Sequence, residues 1–124
     1  MKRKLFVISA ILALLFMLSI GVASAESGTW ANISWSLSNG VLTLGNGDEQ
    51  FDLTATTRKE SDYPWHQFRS AITKVECDGT IHWTGAINNM FSNCTNLTAC
   101  NLNGFDTVSA TNMSQMFYYI SINM

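Results

Sequence analysis

Two rhythms of apolar positions divide this chain near residue 85. Before it, the rhythm is two. Trp35 and Leu37 flank the polar Ser36, Ser38-Asn39-Gly40 interrupts, and Val41-Leu42-Thr43-Leu44 resumes. Asn-Gly between apolar runs predicts a tight hairpin, because both residues tolerate positive φ. Gly45-Asn46-Gly47-Asp48 predicts a second turn, and Phe51 to Thr56 a third strand. Arg58 to Pro64 reads as a polar loop, with Pro64 holding Tyr63 extended. Trp65, Phe68 and Ile72 are spaced for a short helical turn. Ile72, Val75 and Cys77 suit a strand that Asp78-Gly79 ends, and Thr80 to Gly85 suits another.

After Gly85 the rhythm is three and four. Ile87, Met90 and Phe91 stand at i, i+3 and i+4, and so do Met113, Met116 and Phe117. Each triplet predicts an apolar stripe on a short helix. The triplets lie 26 residues apart. Between them, Leu97-x-x-Cys100-x-Leu102-x-x-Phe105 fits the strand frame of a leucine-rich repeat, with Cys100 and Leu102 pointing inward around Asn101. A strand and a helix of this size cannot bury their apolar side alone, so each unit needs a stacked neighbour.

The amino terminus reads differently. Lys2, Arg3 and Lys4 precede a nearly unbroken apolar run from Leu5 to Val22, and Ala23-Ser24-Ala25 follows. This is the pattern of a secretory signal peptide (residues 1–25) cleaved after Ala25. It places the protein outside the cell or on its surface. Without that segment, Arg58, Lys59, Arg69 and Lys74 face nine acidic residues, which excludes the clustered basic face that nucleic acid requires.

Candidate chemistry is sparse. Cys77, Cys94 and Cys100 make an odd count; at inward apolar positions they need no partner and are read as thiols. His66 and His82 with Cys77 and Cys94 match no zinc spacing, and no Gly-x-Ser-x-Gly occurs. Asn46, Asp48, Glu49 and Asp52 crowd one turn, without the frame of a calcium loop. His82 is expected at a strand edge. Asn32, Asn93, Asn96 and Asn112 each open an Asn-x-Ser/Thr triplet, and those in the repeat suit turns and caps. Trp35 belongs to the core by its alternation, and Trp30, Trp65 and Trp83 could stack on sugars if exposed. No catalytic residue, metal site or cofactor is expected.

The stretch "MFSNCTNLTACNLNGFDTVSATNMSQMF" resembles the BspA-like leucine-rich repeat of bacterial surface proteins. Met90, Phe91, Cys94, Leu97, Thr98, Leu102, Phe105, Asp106, Thr107, Asn112, Met113, Met116 and Phe117 carry the likeness. Ala110 and Cys100 replace the usual Val and Leu, and "YYISINM" lacks the Cys and Leu-Thr of a second repeat. The β-rich segment before the repeat is similar to the lead-in found in many such proteins. The resemblance implies a non-enzymatic protein that binds host molecules or other cells.

The expected fold class is therefore α+β. A β-rich cap (26–84) leads into an incomplete leucine-rich-repeat solenoid (85–124) with a short strand and a short helix per repeat. Its core is Ile87, Met90, Phe91, Cys94, Leu97, Cys100, Leu102, Phe105, Met113, Met116 and Phe117. Thr98 and Asn101 form the expected binding face. The expected function is adhesion or protein recognition, with a protein, cell-surface ligand or glycan as partner and self-association through the uncapped C-terminal end. The alternatives are a truncated fragment of a larger surface protein, with no function of its own, and a small secreted carbohydrate-binding module.

Overall fold

The computed structural model describes residues 25–120; the predicted signal segment lies outside these, save for Ala25. Six strands form one mixed sheet: β1 (Glu26–Trp30), β2 (Ile33–Ser38), β3 (Val41–Gln50), β4 (Lys74–Ala86), β5 (Ala99–Cys100) and β6 (Phe105–Asn112). Two short 3-10 segments, Glu60–Asp62 and His66–Ala71, lie between β3 and β4. β1, β2 and β3 are antiparallel neighbours. From β3 onward every pairing is parallel: β3 with β4, and β4 with both β5 and β6.

The hairpin between β2 and β3 forms as its sequence predicts. Asn39 and Gly40 both take positive φ, 51° and 81°, the geometry that matches strand twist in a two-residue turn. Two other predicted boundaries dissolve. The Gly45–Asp48 segment is a bulge inside a continuous β3, and Asp78-Gly79 is a bend inside a continuous β4. The third strand expected at Phe51 to Thr56 is irregular chain.

The parallel part is built in rungs. The chain crosses the sheet at 41–50, returns, crosses again at 74–86, returns, and crosses a third time at 99–112. Each crossing lies beside the last: Leu42 beside Val75, Val75 beside Cys100, His82 beside Asp106. Glycine marks the bend of each rung. A Cβ on Gly79 would overlap the Gly47 carbonyl oxygen, and one on Gly104 would overlap that of Gly79. Only backbone fits where three rungs approach this closely.

Two aromatic columns run through the stack. Phe51, Trp83 and Phe105 follow one another with ring centroids 4.9 and 5.1 Å apart. Trp65, Phe91 and Phe117 do so at 6.5 and 5.7 Å, nearly parallel. Offset rings at such distances contribute beyond their buried area. Apolar residues of β2, β3 and β4, among them Ile33, Leu37, Leu42, Leu44, Val75 and Ile81, complete the core.

The expected α+β solenoid is overturned. Strands take up 46% of the described residues and helix only 9%, all of it 3-10. Where helices were expected, at Ile87–Phe91 and Met113–Phe117, the chain makes turns. The reason lies in the backbone. Asn89 and Asn93 adopt φ of 62°, and Gln115 and Tyr119, 26 residues later, 55° and 57°. A left-handed residue every fourth position cannot continue a right-handed helix. The amides instead bond outward to the next rung: Ile87 N to Asn112 O, Asn89 N to Ser114 O, Phe91 N to Met116 O and Asn93 N to Tyr118 O, at 2.8–3.1 Å. The sheet is also continuous across residue 85, since β4 runs through it.

Candidate recognition surface

Of the expected repeat core, Ile87, Met90, Phe91, Cys94, Leu97 and Met116 are buried. Cys100, Leu102, Phe105 and Phe117 pack half-buried against them. Met113 does not belong: it is 49% exposed, because no described residue covers it on the far side. The strand frame also shrinks to two residues, Ala99 and Cys100. All three cysteines are unpaired. Burial pushes the Cys94 thiol up to about 12 and the Cys100 thiol to about 11. Burial also raises Cys77, with Asp78 adding to it. None is activated as a nucleophile.

The tryptophans form no sugar platform. Trp35, Trp65 and Trp83 are buried. Trp30 is half-buried against Phe51, Tyr63 and Trp65 at 4.9–5.7 Å. The acidic turn is likewise dispersed. Asp48 contacts His82, Glu49 accepts from the amide and hydroxyl of Ser34, and Asp52 accepts from Asn32. Among the described residues no group of acids, histidines and cysteines could hold a metal ion. His82 is not at an edge; its strand pairs on both sides.

Thr98 and Asn101 flank β5 and are exposed. Their amides donate to the carbonyls of Thr73 and Val75 at 3.0 and 2.9 Å, and the Asn101 side chain accepts from the Asn103 amide. The structure places them at the narrow start of the third crossing.

A broader surface lies at the other end of the crossings. Thr54, Ala55 and Thr56 from the first return, Thr84 and Gly85 from β4, and Ser109 and Thr111 from β6 line an open groove of about 480 Å³. Gly85 pairs with Ala110 on one side, and a Cβ at Gly85 would stand 3.0 Å from the Ala55 amide nitrogen and carbonyl oxygen on the other. The lining is threonine, serine, alanine and glycine; its exposed surface is mainly apolar, and the Thr84 hydroxyl donates to Phe51 O. Sequence reasoning missed this groove, because its walls come from three rungs some 25–30 positions apart. The available signal was the pair of triplets Thr54-Ala55-Thr56 and Ser109-Ala110-Thr111.

The first wall is lashed down. Ala86 N donates to Ala55 O at 2.8 Å, and the Asn112 side chain donates to Thr56 O. Arg58 is buried, donates from Nε to Ala86 O at 2.6 Å and from a terminal nitrogen to Leu53 O, and lies over the rings of Phe51 and Trp30. Its cation is satisfied by carbonyls and aromatic faces, which lowers the cost of burying it. Asn88, also buried, accepts from the Arg58 amide and donates to its carbonyl. In the same region two side chains stand in for a backbone ladder. The Tyr63 hydroxyl donates to Asn88 O at 2.7 Å and the Trp65 indole to Met90 O at 3.0 Å. Burial drives the Tyr63 phenol well above its ordinary range, and Arg58 only partly offsets this. It remains a donor throughout physiological pH.

No protein-family model matches the chain, and no curated protein matches it either. Among solved structures, the chain is similar to a leucine-rich repeat protein from Eubacterium ventriosum, at 19% identity and a TM-score of 0.59. The match covers 82% of this chain and 26% of that one. At this identity the likeness is one of fold. The chain spans about a quarter of the length of that protein.

Proposed function

We propose that this chain is a secreted or surface-displayed, non-enzymatic recognition protein related to the BspA-like repeat proteins. Its ligand is a protein or cell-surface molecule, held on the outer face of the rungs. The observation that carries this reading is the groove lined by small Thr, Ser, Ala and Gly residues. It is built from three stacked rungs and held rigid by Arg58 and Asn112. A preorganised open groove suits recognition because little ordering is lost on binding. The fold likeness to a leucine-rich repeat protein supports the same class. The Met-Phe-x-x-Cys and Phe-Asp-Thr motifs support the finer kinship, and Lys2 to Ala25 supports export with cleavage after Ala25. The exposed Val108, Met113, Tyr118 and Tyr119 on the last rung favour self-association, or covering by a further rung of the same kind.

The test is a protein and glycan array probed with the chain from Glu26 to Met124, beside Ser109→Arg/Thr111→Arg and Thr98→Arg/Asn101→Arg variants. Both pairs are exposed, so the fold should survive. Protein binding lost in the first variant supports the groove, and loss only in the second moves the site to β5. Binding that persists in both variants contradicts the proposal.

A further inference from the structure

Three successive crossings place an ionisable side chain in one row on the outer face: Asp48 from β3, His82 from β4 and Asp106 from β6. His82 Nε2 lies 2.7 Å from an Asp48 oxygen, and Nδ1 lies 2.7 Å from an Asp106 oxygen. An ionised carboxylate only accepts hydrogen bonds, so both ring nitrogens must carry protons to make both contacts. The row is thus complete only when the ring is an imidazolium.

We propose that His82 is a pH-sensitive tie that joins side chains of the three rungs when protonated and lets go of Asp48 on the first when neutral. Its surroundings leave little else to respond to. The charged groups in contact with the ring are Asp106 and Asp48; Gln50, beside it on β3, donates to the His82 carbonyl, and Glu49 is engaged with Ser34. The two contacts are unequal. Asp106 is held a second time, by the Val108 amide at 3.1 Å, and is 35% exposed, whereas Asp48 is 77% exposed. A neutral imidazole keeps one donor, and it stays with the better fixed Asp106. Asp48 then faces a lone pair and detaches. Just past the bulge between Leu44 and Gly47, β3 resumes pairing with β4 from Gly47 to Gln50, so the exposed Asp48 side chain, with its local backbone, is the part able to respond.

The direction with pH follows. The hydrogen bonds His82 donates to Asp106 and then to Asp48 raise it above its ordinary 6.5, and the bond accepted from His82 lowers Asp106 below its ordinary 3.8. The tie is therefore at full strength below pH 6.5 and is lost as pH rises through the higher folded-state midpoint. At the acid end it is lost as pH falls through the lowered midpoint of Asp106.

The experiment is an NMR titration of the full chain, following the imidazole carbon-bound protons and the backbone amides, with His66→Gln to assign the two histidines. His82 should titrate above 6.5, and the Asp48 and Glu49 amides should shift with the same midpoint. Asp48→Asn and Asp106→Asn should each lower that midpoint, Asp106→Asn the more. A His82 midpoint at or below 6.5 overturns the tie. So do β3 amides that do not follow the ring. If Asp106→Asn fails to fold, the wild-type titration and the exposed Asp48→Asn still decide.

Discussion

The second and third rungs carry nearly the same turn and meet different fates. Ile87 to Cys94 and Met113 to Ile120 share the apolar triplet, the left-handed residues at the same offset, and the same internal bond: Ser92 N to Asn89 O in one, Tyr118 N to Gln115 O in the other. Yet Ile87 and Phe91 are fully buried, while their counterparts differ: Met113 is half exposed and Phe117 half-buried, and only Met116, like Met90, stays buried. The conformation of such a turn is thus local, but its burial belongs to the next rung. A donor row on Ile87, Asn89, Phe91 and Asn93 finds carbonyls only because residues 112–118 follow.

The largest break in this comparison should come from the aromatic column. Phe91→Ala removes a ring held between Trp65 and Phe117 and should cost about 3–5 kcal/mol in denaturant unfolding. Phe117→Ala, its half-buried counterpart, should cost only about 1 kcal/mol, half the worth of a full burial. Equal losses would mean that the third rung is covered in solution.

The aliphatic pair should repeat the contrast at smaller scale. Ile87→Ala should cost about 2–4 kcal/mol, and Met113→Ala should stay within about 0.5 kcal/mol, both read from thermal or chemical melts.

The smallest effect concerns the left-handed residues themselves. Gln115→Gly relieves a non-glycine residue at φ 55° and should stabilise by up to about 1 kcal/mol. Asn89→Gly should not, since Asn89 also donates to Arg58 O at 2.9 Å and loses that bond. A gain at Asn89 matching that at Gln115 would show that the side-chain bond contributes nothing.

These pairs also mark where the sequence was readable. The 26-residue spacing of the triplets, the Asn39-Gly40 turn and the inward face of Trp35 and Leu37 were all legible, because each depends on neighbours in the chain. The triplet's backbone was not. Apolar residues at i, i+3 and i+4 return to one side in a helix and in a chain of tight turns alike, and only φ at Asn89 and Asn93 separates the two. Asp78-Gly79 carries a turn signature, yet Gly79 is there for the closeness of Gly47 and Gly104, which no local pattern reveals. The groove and the Asp48–His82–Asp106 row were illegible for the same reason. Their members are 24 to 34 positions apart, and the register that unites them is set by bulges in β3 and β6.

The third rung repeats the second, and among the described residues no further rung covers it. Amide hydrogen exchange on the full chain tests it most directly. Ile87, Asn89, Phe91 and Asn93 should be strongly protected, because their amides donate to Asn112, Ser114, Met116 and Tyr118. At a concentration where the chain is monomeric, the amides of Met113, Gln115, Phe117 and Tyr119, in the equivalent places, should exchange near the rate of an open chain. Equal protection in both sets would contradict the account, and so would rapid exchange in the first.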